Sequence, residues 1–550
     1  MRICTIVAVG LLSLGATGLS TAALAQETLV DLLQAGNREA VLAAITSPEV
    51  DVDAAEPDGS TALLWATYQV DHEMARALLE AGAEADVTNN YGSSPLTEAV
   101  KLGDVELVRM LLDAGADPDS PNQDNQTTLM LAAYVGSREI AELLIEHGAD
   151  VNAMEGFRGQ TALMWAASEN NPDVAELLIQ HGADVTLRAA SDDWPRQMTS
   201  EPRAQYRPTG GLTALLYAAR SGCYRCAVAI VEAGADINQP NPDGITPLIN
   251  ALDNRSYDIA MYLLDQGANS GAWDMYGRTP LYVAVDMNSF RGGGGFGGGG
   301  GFGGGGGAPR DPNTATAMDV VHRLLDMGVN PNHQLTQMRP NGNGRGRFAD
   351  YMMRGGTGPL MIAALSYDNE AIEALLAHGA EVDLPNVFQI TPLMAAAGVS
   401  GTSRPAGGGG GGGGPQGDVQ ARAIATIDLL LDAGADINVQ ITDSRTRTAT
   451  LLAYVQGRDR EGQTALFGAA GSGWNRVVEH LIARGADSAI KDAAGNTALD
   501  EARGPAPTGP GAGGGGAPAG SADREATVAL LEASLGVSED GAPASAAEDL

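Results

Sequence analysis

The chain has 550 residues and a formal net charge of -35, from 68 acidic and 33 basic side chains. That balance argues against a nucleic-acid partner, because phosphate binding needs a basic stripe. Three cysteines in this length exclude a disulfide framework, so packed helices must hold the fold.

Residues 1–25 read as an export signal. Arg2 supplies the charge, Ile6 to Leu14 the apolar run, and Ala23-Leu24-Ala25 before Gln26 a small-x-small cleavage site. The apolar run is too short to span a bilayer. Cys4 lies far from the cleavage point, which argues against a lipid anchor. The expectation is a soluble periplasmic or secreted protein, cut after Ala25 and retaining Cys223 and Cys226.

Beyond the signal, one pattern recurs. A helical end runs into Gly-Ala-Asp, then a turn, then Thr-Pro-Leu or Thr-Ala-Leu. Leu63, Leu96 and Leu129 are 33 apart, as are Leu215, Leu248 and Leu281, then Leu360 and Leu393, then Leu466 and Leu499. A fixed period of this size predicts a solenoid of stacked units. In one unit, Thr127-Thr128-Leu129 opens a helix carrying Ala132 and Ala133, small enough for a second helix to approach. Gly136 turns the chain, and Ile140, Leu143 and Leu144 form the buried stripe of the second helix. Gly148 ends it, where a left-handed residue is wanted.

This combination resembles the ankyrin repeat: a β-turn finger, Thr-Pro-Leu-His, two antiparallel helices, then Gly-Ala-Asp. The resemblance implies an all-α repeat solenoid of about eleven units, with Leu at 63, 96, 129, 163, 215, 248, 281, 360, 393, 466 and 499. A degenerate N-terminal cap precedes them, with Gly36 as its turn and Asp51-Val52-Asp53 as its exit. The family's His is replaced, as at Leu64, Thr97, Met130, Met164 and Phe467, which predicts some loss of bracing between turns. With its export signal and glycine insertions, the chain resembles exported ankyrin-repeat proteins of Gram-negative bacteria.

Two kinds of insertion interrupt the beat. Glycine-rich stretches fall between first and second helices, as loops over 291–316, 401–418 and 504–522, and read as flexible tethers. Arginine-rich stretches fall at the fingers, over 189–210, 335–356 and 439–462. They divide the repeats into blocks 26–188, 211–334, 357–438 and 463–535, followed by an acidic, disordered tail at 536–550. The finger insertions and their edges hold Arg188, Arg196, Arg203 and Arg207; Arg339, Arg345, Arg347 and Arg354; and Arg445, Arg447, Arg458 and Arg460. Trp194, Tyr206, Phe348, Tyr351 and Tyr454 are interleaved. Arginine with aromatic rings is the composition of interface hot spots, so these segments are candidates to grip a partner with an acidic surface. The alternative is that they fold back on the protein's own acidic body.

Fingertip rings at Tyr91, Phe157, Tyr276 and Phe388, with Arg158, are further binding candidates, set against packing on the adjacent finger. Tyr68, Tyr134 and Arg220 are candidates on exposed first-helix positions. Trp65, Trp165 and Tyr217 read as core. Cys223-Tyr224-Arg225-Cys226 opens a second helix, as a structural disulfide or buried pair or, alternatively, a redox or metal site. His147, His181 and His378 sit one residue before a helix-ending Gly and read as caps. Asp150-Val151-Asn152 and Asp236-Ile237-Asn238 mimic the start of a calcium loop but lack its glycine. No catalytic or phosphate-loop motif occurs. The reading is a monomeric, non-enzymatic scaffold for a protein partner, without cofactor, metal or membrane insertion. A redox factor and a structural cell-envelope protein are the alternatives.

Overall fold

The structure, a computed structural model, describes residues 28–122, 124–191, 210–289, 312–336, 355–399, 418–442, 460–504 and 521–536. The signal segment, the cores of all six insertions and residues 537–550 lie outside the described residues. The chain divides into two compact units, Met1–Asp150 and Val151–Leu550.

Unit 1 stacks four helix pairs: α1 (Leu29–Gln34) with α2 (Arg38–Ala44), α3 (Ala62–Tyr68) with α4 (His72–Glu80), α5 (Pro95–Leu102) with α6 (Val105–Asp113), and α7 (Thr128–Val135) with α8 (Arg138–Glu146). Unit 2 continues the pattern. Its pairs begin with α9 (Ala162–Ser168) and α10 (Pro172–Gln180), α11 (Ala214–Ser221) and α12 (Tyr224–Glu232), and α13 (Pro247–Asp253) and α14 (Tyr257–Asp265). Then come α15 (Pro280–Ser289) and α16 (Ala317–Asp326), α17 (Pro359–Ser366) and α18 (Asn369–Ala377), and α19 (Pro392–Ala396) and α20 (Val419–Asp432). The last are α21 (Ala465–Gly471) with α22 (Asn475–Ala483), and α23 (Ala498–Arg503) with α24 (Ser521–Leu535). Within each unit, first helices pack on first helices and second on second.

Local chemistry explains the helix boundaries. Thr61, Ser94, Thr127, Thr161, Thr213, Thr246 and Thr391 each cap a first helix, the side chain accepting from the backbone N–H three residues on. The repeating leucines from Leu63 to Leu499 are all buried, as are Ile140, Leu143 and Leu144. Helices this short are not stable alone, so their stability comes from neighbours. His147 and His378 cap as expected: Nδ1 faces the Leu143 and Ala374 carbonyls at 2.9 and 2.8 Å. Their other ring nitrogens lie 3.6 Å from Asp113 and Asp326 of the preceding repeat. His181 takes the C-cap position of α10.

The bracing expected to weaken with the missing His comes from another source. After each Gly-Ala-Asp, the Asp or Asn two residues on accepts from the backbone N–H at the equivalent turn of the next repeat. In unit 1, Asp53, Asp86 and Asp119 accept from Glu84, Asp117 and Asp150 at 2.9, 2.8 and 3.0 Å. In unit 2, Asn152, Asn238, Asn332, Asp383 and Asn438 accept from Asp184, Asn269, Glu381, Asp436 and Asp487 at 2.7, 2.7, 2.8, 2.9 and 2.9 Å. Asn152, Asn332 and Asn438 also donate to the next repeat's Gly182, Gly379 and Gly485 carbonyls. These residues include both stretches that resemble a calcium loop, and their role here is the turn. The row stops where Thr186 bonds back to Asp184 and where Gly271 has no side chain.

Insertions leave this stacking intact because their ends are tied down. Where the chain re-enters after the first glycine loop, Asp258 accepts from the Thr314 N–H, the Thr314 hydroxyl and the Ala315 N–H at 2.9, 3.0 and 2.7 Å. Asn313 donates to the Arg255 carbonyl at 2.6 Å.

Two predictions follow from the turns. Gly148 has φ +98°, and a Cβ there would meet nothing within 4 Å. Gly148→Ala therefore carries only the conformational penalty, about 1 kcal/mol, read from chemical denaturation. In the acceptor row, burial and then the neighbouring charges of Asp117 and Asp150 raise the Asp119 pKa above its ordinary 3.8. A raised carboxylate pKa favours folding below the ordinary value, and that contribution is lost as pH rises through the folded pKa. Asp119→Asn keeps the acceptor and removes the charge, so it should raise the thermal midpoint at pH 7. The gain should shrink toward zero below the ordinary carboxylate range.

Candidate functional site

Several fingers are built on one polar side chain that accepts from two amides of its own tip. Asn89 takes the Tyr91 and Ser93 N–H groups, both at 3.0 Å. Asn241, Asp274, Asn386 and Asp492 repeat the arrangement. The finger of residues 155–160 differs. Its closing bond runs from Glu155 N to Gln160 O, against Asn89 N to Ser93 O, so it carries one more residue. The longer, buried Glu155 accepts from Phe157, Arg158 and Gln160 at 2.6, 2.6 and 3.1 Å.

The tip of this longer finger is open. Phe157 is 76% exposed, Arg158 is exposed, and the Arg158 guanidinium lies 5.7 Å from the Phe157 ring centre. Gln160 donates to the Tyr217 hydroxyl of α11 at 2.7 Å. Arg220, one turn along α11 and also exposed, stacks on the Tyr217 ring at 4.8 Å. Burial raises the Tyr217 pKa, and the charges of Arg220 and Arg158 pull against that shift. Arg158 and Arg220, named separately from the sequence, thus both act on Tyr217, and Phe157 lies against Arg158.

In unit 1, Tyr68 and Tyr134 are 62% and 47% exposed at equivalent first-helix positions, and the Tyr91 tip is 73% exposed. Trp65 meets Tyr68 edge-on at 6.0 Å. Trp65 and Trp165 are only half-buried, short of the core expectation, whereas Tyr217 is buried.

Two fingertip expectations are corrected. Tyr276 and Phe388 are 8% and 2% exposed, so they are packing residues rather than open contacts. Both sit on ordinary-length fingers followed in the next repeat by an insertion, and the Tyr276 carbonyl accepts from Thr336 N at the foot of one. Arg278 lies beneath Tyr276, 5.8 Å from the ring centre. It is buried and pairs with both oxygens of Asp253 at 2.7 and 2.8 Å and with Asp274 at 2.7 Å. Those two carboxylates raise its pKa against the opposing effect of burial.

The three finger insertions share one neck. Ala189, Leu335 and Ile441 donate to the Leu212, Thr357 and Gln463 carbonyls at 2.9, 3.1 and 3.0 Å. Gly211, Gly356 and Gly462 donate back to Ala190, Leu335 and Ile441. Arg188, Gln334 and Gln440 then reach the next finger at the Pro240, Pro385 and Lys491 carbonyls. Arg196, Arg203, Arg207, Arg339, Arg345 and Arg347 lie outside the described residues, as do all five interleaved aromatics.

Cys223 and Cys226 form a disulfide at the start of α12, with both side chains fully buried. Cys223 is the N-cap, its sulfur accepting from Cys226 N. Among the described residues no cluster of three or more His, Cys, Asp or Glu is arranged for a metal, and no helix is long and apolar enough to cross a membrane.

Sequence reasoning missed Glu155 and the Arg278–Asp253 pair. Glu155 was legible as an acid at the finger position where Glu56, Asn89, Asn241, Asp274 and Asn386 sit in other repeats. Arg278 gave no sign, because its partner belongs to the previous repeat. Also missed was Trp273, which is 62% exposed and stacks on His333 at 6.2 Å.

Glu155→Ala should destabilise unit 2 by about 1–3 kcal/mol, since buried amides lose their acceptor. Glu155→Gln, which keeps a carbonyl, should lose less. Thermal denaturation gives the ranking, and amide exchange at Phe157 and Arg158 should quicken in the Ala variant.

A family model for ankyrin repeats, in a three-copy form, matches residues 22–122, 114–189 and 215–291. The chain is similar to the crystallised ankyrin repeat domain of Bcl-3, described as a unique member of the IkappaB protein family. Identity is 25%, over 41% of this chain and 94% of that domain, with a TM-score of 0.35. No curated protein matches the sequence.

Proposed function

We propose that this chain, which belongs to the ankyrin-repeat family, is an exported, monomeric scaffold that binds a protein partner and has no catalytic step of its own. Ankyrin repeats support a role in protein–protein contact. The observation that carries the reading is the set of open rings at fingertips and first-helix positions. Tyr68, Tyr91, Tyr134 and Phe157 leave between 47% and 76% of their surface in water. A ring exposed on a tied-down finger loses the apolar burial it would gain against a partner.

The insertions add further candidates in unit 2. Their necks open from the fingers, so Arg196, Arg203, Arg207, Arg339, Arg345 and Arg347 belong to segments that start beside the tips. Their charge suits a partner with an acidic surface. Export, to the periplasm or beyond a Gram-negative-type cell, rests on the small-x-small site at Ala23-Leu24-Ala25. The buried Cys223–Cys226 disulfide fits a brace for α12 better than a redox centre.

Deleting residues 337–354 while keeping the neck should abolish recovery of the partner in a pulldown from the native compartment. The thermal midpoint should shift by no more than about 2 °C, as expected for a surface change. Partner recovery unchanged, or a large loss of stability, would instead favour an insertion packed on its own body.

A further inference from the structure

The start of α14, away from the surface proposed above, carries a buried polar group with nothing to bond. Ser256 is the N-cap of this helix, yet its side chain makes no bond to the Ile259 N–H. Asp71, Asp104, Ser137 and Asp368 make the equivalent bond on other second helices. Ser256 is 4% exposed, and its hydroxyl has no hydrogen-bond partner. A buried hydroxyl left so is costly, unless a ligand satisfies it.

The hydroxyl belongs to a small cleft. Tyr224, Arg255, Ser256, Asp258, Ile259 and Asn313 line it, around a cavity of about 20 Å³, room for one oxygen-sized atom. The open end of α14 places partial positive charge and unbonded N–H groups there. Tyr224 is the first residue of α12, so a second helix begins at the same cleft. Arg255 adds a full positive charge. It turns the chain at φ +59°, as Gly222 does one repeat earlier. Whereas Arg225 and Arg323 pair with carboxylates, the Arg255 side chain makes no hydrogen bond or ion pair among the described residues.

One lining group sets a condition on the anion. Asp258 Oδ1 takes the Thr314 hydroxyl and the Ala315 N–H at 3.0 and 2.7 Å, while Oδ2 only shares the Thr314 N–H, at 2.9 Å. A carboxylate oxygen has two lone pairs, so Oδ2 can accept from one more donor. It repels an oxyanion that has lost every proton and accepts from one that keeps an O–H.

We infer that this cleft binds inorganic phosphate. One phosphate oxygen accepts from the Ser256 hydroxyl and the Ile259 N–H, another meets Arg255, and the phosphate O–H donates to Asp258. Inorganic phosphate keeps a proton near neutral pH. Sulfate has none, and a phosphate monoester, with a second pKa of about 6, has mostly lost its own. Bound there, phosphate joins the start of α14 to the returning chain at Asn313.

Equilibrium dialysis of the full chain against radiolabelled phosphate near neutral pH tests this. The chain should retain phosphate in a single class of sites. Unlabelled sulfate and methyl phosphate should each compete at least about tenfold less well than phosphate. Ser256→Asp offers its own carboxylate to the Ile259 N–H, so it should abolish retention while the thermal midpoint holds or rises. Arg255→Gly suits the left-handed turn, so it should stay folded and weaken retention at least about tenfold. Asp258→Asn should bring sulfate level with phosphate. No retained phosphate overturns the inference and leaves water as the partner of Ser256. Sulfate equal to phosphate on the unaltered chain overturns the choice of anion, and retention that survives Ser256→Asp overturns the site. None of these outcomes bears on the scaffold reading, which the pulldown decides.

Discussion

A pair of helices eight or nine residues long cannot bury its apolar face against itself. Everything in this molecule follows from that limit, because each repeat must find its missing core in the next one. Buried leucines such as Leu129 and Leu163 supply the non-directional part of that contact. Direction and register come from the row of Asp and Asn side chains at the turns, each accepting an N–H from the repeat ahead. Each bond ties a backbone N–H of one turn to a side chain of the turn before it, so this row sets how one turn sits on the next. The stack tolerates long insertions for the same reason. Asn332 still reaches Glu381, 49 residues on, across a finger insertion.

Much of this was legible in the sequence because it is local. Thr caps, helix-ending glycines and the leucine period each act within one repeat, so a single chain displays them. What was hidden depended on the neighbour. Tyr276 and Phe388 occupy the same tip position as Tyr91, yet they are buried and Tyr91 is open. The residue type at the tip therefore does not decide its exposure. Arg278 pairs with Asp253, 25 residues earlier, a contact with no sequence pattern. The loss of the family's His suggested weaker bracing, while Asn and Asp at the turns, read only as a failed calcium loop, carry that role.

Charge is divided between two tasks. On the second helices, arginines join one repeat to the next across an otherwise acidic surface, as Arg225 and Arg323 do. On the finger side, Arg158 and Arg220 lie over the Phe157 and Tyr217 rings.

The account stands or falls on whether the displayed side of the repeats is where a partner sits. A photo-crosslinking residue placed at Phe157 in the full chain, in its native cell, asks this directly, with Glu232 at the end of α12 as the control. A discrete adduct from position 157, absent from position 232, is the predicted result. No adduct at 157, or equal adducts from both positions, would contradict it.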